Sequence, residues 1–172
     1  MGKISSVRPV KLFIGLIFKD QRYFKEAESI LIKKFGKADF KSEIMPFDLT
    51  DYYRPELGDG LKRVFISFKR LINPAHISRI KRMTNKIELR LSCSNKRLIN
   101  IDPGYLDLPK VILASTKDYA HRIYLDKGIF AEITLSFKDN SFTPKECTYP
   151  DYRKKEYIDI FNKIRSIYQG QI

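Results

Sequence analysis

The chain has 172 residues, of which 43% are hydrophobic and 13% aromatic, and its 33 Lys and Arg against 20 Asp and Glu give a net charge of +13. This length and composition are typical of one globular domain and exclude a disordered or low-complexity chain. The apolar run near the N-terminus is too short to span a bilayer, so we expect no membrane partner.

The first half of the chain predicts strands and helices in the order βαββαβ. We expect strands over residues 10–18, 40–47, 61–71 and 97–102, and helices over residues 23–35 and 74–91. The last of these strands should end in a turn at Asp102-Pro103-Gly104. This order matches a ferredoxin-like α+β core over residues 10–102, with two helices on one face of an antiparallel sheet.

The helix over residues 74–91 has two distinct faces. At 100° per residue its apolar face holds Ile77, Ile80, Thr84, Ile87 and Leu91. The basic face holds Arg79, Arg82, Lys86 and Arg90. The basic face could track an RNA backbone, or it could be an ordinary solvated helix surface.

Basic charge is concentrated around that helix. Residues 61–97 hold eleven Lys and Arg against one acid, Glu88, whereas residues 101–172 hold eleven basic and ten acidic residues. A segment of this kind indicates an anionic partner or solvated charge.

The second half predicts an extension of the core over residues 103–172, within one domain of residues 1–172. We expect an antiparallel β-meander with strands at 121–125 and 129–137 and a short return strand. A C-terminal helix follows over residues 152–168, with Tyr157, Phe161, Ile164 and Tyr168 facing inward.

A hairpin in this extension carries candidate catalytic residues. A tight turn at Asp126-Lys127-Gly128 would place Glu132 opposite His121 or Arg122. We predict His121, Glu132 and Asp118 as catalytic residues, with His121 moving a proton. The alternative is an ordinary cross-strand ion pair.

Further polar residues near the hairpin predict a phosphate site. Ligand-binding candidates are Ser115, Thr116, Lys117, Arg122 and Tyr124. The sequence leaves the cofactor open. Mg²⁺ is one candidate, with Asp102 and Asp151 as its oxygen ligands, although a turn-rich solvated loop would explain Asp102-Pro103-Gly104 equally well. A phosphate-binding loop of the form GxxxxGK[ST] does not occur in the sequence.

The two cysteines do not form a recognisable metal or disulfide motif. Cys93 and Cys147 are far apart in the sequence and lack CxxC spacing, which predicts free thiols in a reducing, cytoplasmic setting. Cys93, Cys147, His76 and His121 would formally suffice for zinc, but all four are isolated. We therefore predict no zinc site.

Four segments carry a resemblance to a known family: TNKIE at 84–88, NIDPGY at 100–105, ASTKDYAHRIY at 114–124 and TYPDYR at 148–153. The chain resembles an uncharacterised prokaryotic family known only as a domain of unknown function, over nearly its whole length. Some members are labelled GTP-binding, but the sequence lacks the phosphate loop that would support that label. The family pattern has Trp where Cys147 stands here, and it implies no residue roles.

Together these observations predict a protein that binds a phosphate-bearing ligand, a nucleotide or an RNA end, with metal-dependent phosphoester or nucleotidyl chemistry as a possible reaction. One alternative is a non-catalytic RNA-binding module that uses the basic helix. The other is a structural or interaction protein whose polar motifs are only structural. The sequence predicts neither the oligomeric state nor the identity of the substrate.

Overall fold

The computed structural model describes residues 2–3, 6–50, 52–94 and 96–172. Its helices are α1 (Gln21–Phe35), α2 (Arg54–Leu57), α3 (Ile77–Arg90) and α4 (Lys155–Gln169), with 3₁₀ turns at Pro74–His76 and Pro150–Arg153. Its strands are β1 (Lys11–Phe18), β2 (Ala38–Lys41), β3 (Met45–Pro46), β4 (Lys62–Phe68), β5 (Ser92–Cys93), β6 (Lys96–Arg97), β7 (Ile99–Leu106), β8 (Lys110–Ser115), β9 (Ile123–Asp126), β10 (Ile129–Lys138) and β11 (Ser141–Pro144).

One large antiparallel sheet organises the molecule. Its strands follow the order β11-β10-β8-β7-β1-β4-β2, with β3 added beside β4 and β9 beside β10, while β5 and β6 form a separate hairpin. The predicted α+β class is therefore confirmed. The ferredoxin-like arrangement of residues 10–102 stays a prediction. It is one interpretation of the strand order β7-β1-β4-β2 and of the positions of α1 and α3.

Helices cover both faces of the sheet. Alternate residues of β1 and β4, such as Ile14 and Ile66, pack with α1 and α3 in one hydrophobic cluster. Residues between them, such as Phe13 and Phe65, pack with Phe161 of α4 in a second cluster. Strand β1 is buried along its whole length because both of its faces are covered.

The predicted turn at Asp102-Pro103-Gly104 is wrong, because these residues lie inside β7. The backbone N–H of Ile101 donates to Glu88 on α3 and therefore points away from β1. Every second residue of a strand directs its backbone N–H to the same side of the strand. The nitrogen of Pro103 therefore faces a side where β7 lacks a strand partner before Gly104. A Cβ on Gly104 would lie 2.3 Å from the carbonyl of Ile112.

Three further differences separate the observed strands from the predicted ones. Strand β8 was not predicted, and the strand predicted at 40–47 is two short strands, β2 and β3. The pairing of β10 with β8 shifts register between Ile133 and Leu135, and Ile133 is 41% exposed. Local patterns do not reveal such register changes.

The helical patterns are confirmed. The five predicted apolar positions of α3 are buried, as are the four predicted inward positions of α4: Ile77, Ile80, Thr84, Ile87, Leu91, Tyr157, Phe161, Ile164 and Tyr168. Both cysteines are free and exposed. Among the residues that the structure describes, no helix has the length and apolar character needed to cross a membrane.

Candidate ligand-binding pocket

A pocket of about 660 Å³ opens where the sheet splits. Strand β7 pairs with β8 only from Gly104 to Leu106, so its earlier residues separate from β8 and leave a gap. Side chains of α3 enter this gap from one side of the sheet, and residues 149–152 line it from the other. Residues 47, 49–50 and 52–53 complete the lining. The pocket thus collects residues from distant parts of the chain.

Arg63 is a deeply buried cation of the pocket. Its Nη2 donates to Oδ2 of Asp151 over 2.7 Å, and the arginine is only 3% exposed. Its Nε and Nη1 are buried and lack a hydrogen-bond partner among the described residues. Gly15 makes room for it, because a Cβ there would lie 2.7 Å from Nη1. The hydroxyls of Tyr152 and Tyr157, whose rings lie against the guanidinium, are likewise buried and without a hydrogen-bond partner among the described residues. This part of Arg63 is therefore enclosed by its neighbours and is not open to the pocket.

Asp102 lies at the centre of a network of charged and amide groups. It accepts hydrogen bonds from Nζ of Lys81 over 3.0 Å and from Nδ2 of Asn100 over 2.5 Å. Burial tends to raise the pKa of Asp102, but Lys81 and Arg63 outweigh burial and hold the pKa below its ordinary value. The carboxylate is therefore ionised at neutral pH.

Glu88 of α3 closes the inner end of the gap. Its Oε1 accepts from the backbone N–H of Ile101 over 2.6 Å, and its Oε2 accepts from Nη1 of Arg97 over 3.1 Å. Arg97 also binds both carboxylate oxygens of Glu56. Burial raises the pKa of Glu88 in spite of the nearby Lys81.

Arg122 organises the wall formed by β8 and β10. Its guanidinium donates to Glu132 over 2.8 Å, to Ser115 over 2.9 Å, to the carbonyl of Lys117 and to the hydroxyl of Tyr149. Burial raises the pKa of Tyr149 although Arg122 acts in the opposite direction. The phenol is therefore protonated at neutral pH, and this wall is held rigidly by hydrogen bonds.

Lys117 differs from the other cations of the pocket. Its Nζ lies 3.6 Å from the ring centroid of Tyr52, a cation–π contact. Within the described part of the chain its side chain forms no ion pair. Tyr52 in turn packs edge-on against Tyr53, with ring centroids 5.0 Å apart. One rim of the pocket thus combines an available ammonium group with aromatic rings.

The charges lining the pocket are mixed. Among the described residues, five cations and four carboxylates line it: Arg63, Lys81, Arg97, Lys117, Arg122, Glu88, Asp102, Glu132 and Asp151. Arg63, Lys81, Arg97 and Arg122 each contact a carboxylate. Of the described cations in the lining, Lys117 is therefore the one without a carboxylate contact.

Seven of the predicted site residues come together in this pocket: Asp102, Ser115, Thr116, Lys117, Arg122, Glu132 and Asp151. Three others do not line it. Tyr124 is 58% exposed and packs against Phe130, and Asp118 is exposed on the loop before β9. His121 lies behind Glu132, with its Nε2 3.1 Å from Oε2 of that carboxylate.

The predicted metal ligands are both engaged by cations, Asp151 by Arg63 and Asp102 by Lys81. Throughout residues 2–3, 6–50, 52–94 and 96–172, no group of three His, Cys, Asp or Glu side chains is placed to hold a metal ion. The donor set around these carboxylates thus consists of ammonium and guanidinium groups, which do not fit a cation.

The predicted nucleic-acid residues form an exposed row on α3: Arg79, Arg82, Lys86 and Arg90. We call this row the α3 stripe. None of its members forms an ion pair with a described residue. Phe65 and Phe68 of β4, the strand before α3, are fully buried and unavailable for stacking.

Several residues of the pocket were not predicted, above all Arg63 and Lys81. A weak signal existed for both. Arg63 occupies an inward position of a buried strand, and a glycine inside β1 indicates that another group approaches closely. Lys81 and Glu88 are seven residues apart and flank the apolar face of α3. The tyrosines of the rim, Tyr52 and Tyr149, carried no signal.

Comparison with known families identifies the chain. Residues 8–168 match the model of DUF4416, a domain of unknown function, so the chain belongs to this family. No curated protein and no solved structure matches the chain. The four segments that carry the family resemblance each contribute residues to the pocket, among them Asn85, Asp102, Lys117 and Asp151. The identification thus agrees with the predicted family.

Proposed function

We propose that the pocket binds a small phosphate-bearing ligand of nucleotide size. The observation that carries this proposal is Lys117, a cation at the rim whose ammonium group lies against the ring of Tyr52 and forms no ion pair with a described residue. Phosphate oxygens accept charge-assisted hydrogen bonds from lysine ammonium groups. A phosphate group at the rim would supply the counter-charge that Lys117 lacks among the described residues.

The size and the rings of the pocket support a nucleotide over a bare anion. A volume of about 660 Å³ falls within the range of roughly 300–1,000 Å³ that is typical of small-molecule sites. Tyr52, Tyr53, Tyr119 and Tyr149 all contribute to the lining. Aromatic side chains of this kind stack on nucleobases whatever the base.

The same geometry supports binding more directly than catalysis. His121 contacts Glu132 from outside the lining, and Arg122 donates to the same carboxylate oxygen. A general acid or base must reach the proton that it transfers. Phosphoester or nucleotidyl chemistry with His121, Glu132 and Asp118 therefore stays a prediction, as does the cytoplasmic location.

The α3 stripe supports a second candidate function, binding of RNA without chemistry. Four exposed cations without ion pairs in the described chain could neutralise successive phosphates. The alternative is an ordinary solvated helix surface, because many helices carry a row of charged residues without a binding role.

The test is a binding screen with ribonucleoside mono-, di- and triphosphates, the corresponding nucleosides and inorganic phosphate. We expect Lys117→Gln to raise the Kd of the best nucleotide by about tenfold, since a charge-assisted hydrogen bond contributes about 1.5–3 kcal/mol. Lys163→Gln, an exposed lysine of α4, is the matched control and should bind like the parent. Equal Kd values for the two variants would contradict the proposal.

A further inference from the structure

We infer that the pocket receives the terminal nucleotide of a single-stranded nucleic acid whose adjoining phosphates lie along the α3 stripe. This inference rests on the proposed function and names the substrate class of the same pocket. It joins two features that would otherwise be separate, the pocket with Lys117 at its rim and the α3 stripe.

The stripe is continuous with the mouth of the pocket. Asn85 and Leu89 of α3 both line the pocket. At 100° per residue, Leu89 lies about 20° from Arg82 and about 60° from Lys86 around the helix axis. A chain leaving the pocket over Leu89 therefore meets these two cations first.

The length of the stripe suits a polymer better than a single small ligand. Arg79 and Arg90 are eleven residues apart, which corresponds to about 16 Å along the helix at a rise of about 1.5 Å per residue. Such a row can neutralise a few consecutive phosphates. Glu88 is the only acid between residues 61 and 97, and it is 3% exposed and bound to Arg97, so it does not offset the stripe.

A single strand fits this arrangement better than an anionic membrane. A helix that lies on a membrane inserts its apolar face into the lipid. The apolar face of α3 is buried in the core, with Ile80 and Ile87 nearly inaccessible. A single strand instead offers both things that the surface can bind, a chain of phosphates for the cations and an unpaired base for the tyrosine rim.

The test measures the binding of a labelled single strand of about ten nucleotides, as RNA and as DNA, by fluorescence anisotropy over a series of salt concentrations. A circular strand of the same length and the mononucleotide found in the screen are the comparison ligands. Vesicles containing anionic lipid form a separate arm.

We expect the linear strand to bind at least about tenfold more tightly than the mononucleotide at low salt, because each additional phosphate contact releases counterions. Changing all four residues of the α3 stripe to Gln should flatten the salt slope by roughly three units, at about 0.7 per phosphate on single strands. The mononucleotide should bind this variant as it binds the parent.

The control variant removes four exposed helical lysines elsewhere, Lys25, Lys33, Lys34 and Lys163, and so changes the net charge equally. If both quadruple variants lose the same salt slope, or if vesicles bind through the stripe and the strand does not, the inference is wrong. A circular strand that binds as tightly as the linear one would also overturn it. If the parent protein binds the mononucleotide in any of these cases, the proposed function still holds. If the parent protein does not bind the mononucleotide, the proposed function itself is contradicted.

Discussion

Nη2 of Arg63 donates to Oδ2 of Asp151 over 2.7 Å, and this bond joins two residues 88 positions apart that are both less than 10% exposed. Four aromatic rings surround the guanidinium, those of Phe47, Phe65, Tyr152 and Tyr157. The pair fastens the 3₁₀ turn before α4 to the face of the sheet. It thereby fixes one side of the pocket.

We predict that Asp151→Ala lowers the free energy of unfolding by about 3–5 kcal/mol, because Arg63 would remain buried without a counter-charge. Urea unfolding measures the change. The control is Asp159→Ala, which removes an exposed ion pair with Lys155 and should cost less than about 0.5 kcal/mol.

A second variant separates the loss of charge from the loss of packing. Replacing both partners with apolar residues, Arg63→Met with Asp151→Leu, should recover much of the stability that Asp151→Ala loses, since no buried charge is then left unpaired. If Asp151→Ala were no less stable than Asp159→Ala, the pair would have no structural role.

Gly15 should be intolerant of a methyl group. In Gly15→Ala the added Cβ would lie 2.7 Å from Nη1 of Arg63 and 3.1 Å from the ring of Phe65, and neither side chain has solvent to move into. We expect a loss of about 1–3 kcal/mol in urea unfolding, as for other overpacked cores, together with weaker nucleotide binding.

Gly170→Ala provides the comparison for Gly15. Gly170 ends α4 with a φ of −75°, and its nearest neighbour would lie 3.6 Å from a new Cβ. Alanine there should be neutral or slightly stabilising. Equal stability of the two variants would show that the Arg63 side chain can move aside freely.

Elements with a strong local period could be predicted from the sequence, and elements determined by distant neighbours could not. The apolar faces of α3 and α4 follow the helical repeat, and every residue predicted to be buried there is buried. Pro103 and Gly104 gave the local signal of a turn, yet they lie in β7. Their strand conformation depends on a missing neighbour strand and on the close approach of Ile112, neither of which is local.

The candidate site shows the same division. Reactive side chains at the ends of predicted strands indicated a common site, and Asp102, Arg122, Glu132 and Asp151 do line one pocket. Arg63 was taken as part of a basic surface segment, because the burial of a charge depends on a partner 88 residues away. Lys81 was overlooked for the same reason, since Asp102 is 21 residues further along the chain.

Glu88 should make stability depend on pH. Burial raises its pKa above the ordinary value of 4.5, so the folded protein binds this proton more tightly than the unfolded chain does. Its contribution to the free energy of unfolding is therefore complete below pH 4.5 and is lost as the pH rises through the raised pKa. The Glu88→Gln variant has no carboxyl group at this position to titrate. Its free energy of unfolding should therefore not show this loss as the pH rises.

Urea unfolding at intervals between pH 4 and pH 7 measures the effect as a difference between variant and parent. We expect the variant to gain stability relative to the parent as the pH rises across this window. Glu146→Gln, on an exposed loop, controls for the removal of one carboxylate. A difference that stayed constant with pH, or fell, would contradict the burial argument for Glu88.

Replacing His121 distinguishes the predicted catalytic role of this residue from a structural one. Its Nε2 lies 3.1 Å from Glu132, whose carboxylate also holds Arg122 against Ser115 and Tyr149. We expect His121→Gln to change the free energy of unfolding by no more than about 1–2 kcal/mol, because the imidazole is partly exposed and an amide can still donate to Glu132. We also expect it to weaken the binding or turnover of the nucleotide identified in the screen.

The measurement pairs urea unfolding with nucleotide titration, and His76→Gln is its matched control. His76 is the only other histidine, and it lies exposed in the 3₁₀ turn before α3, outside the pocket lining. A general acid or base changes turnover when it is replaced, whereas a structural histidine changes mainly stability. If His121→Gln loses stability but binds and turns over the nucleotide like His76→Gln, then His121 serves only to hold Glu132. The pocket would in that case bind its ligand through Lys117 and the tyrosines of its lining, without a proton-transfer group.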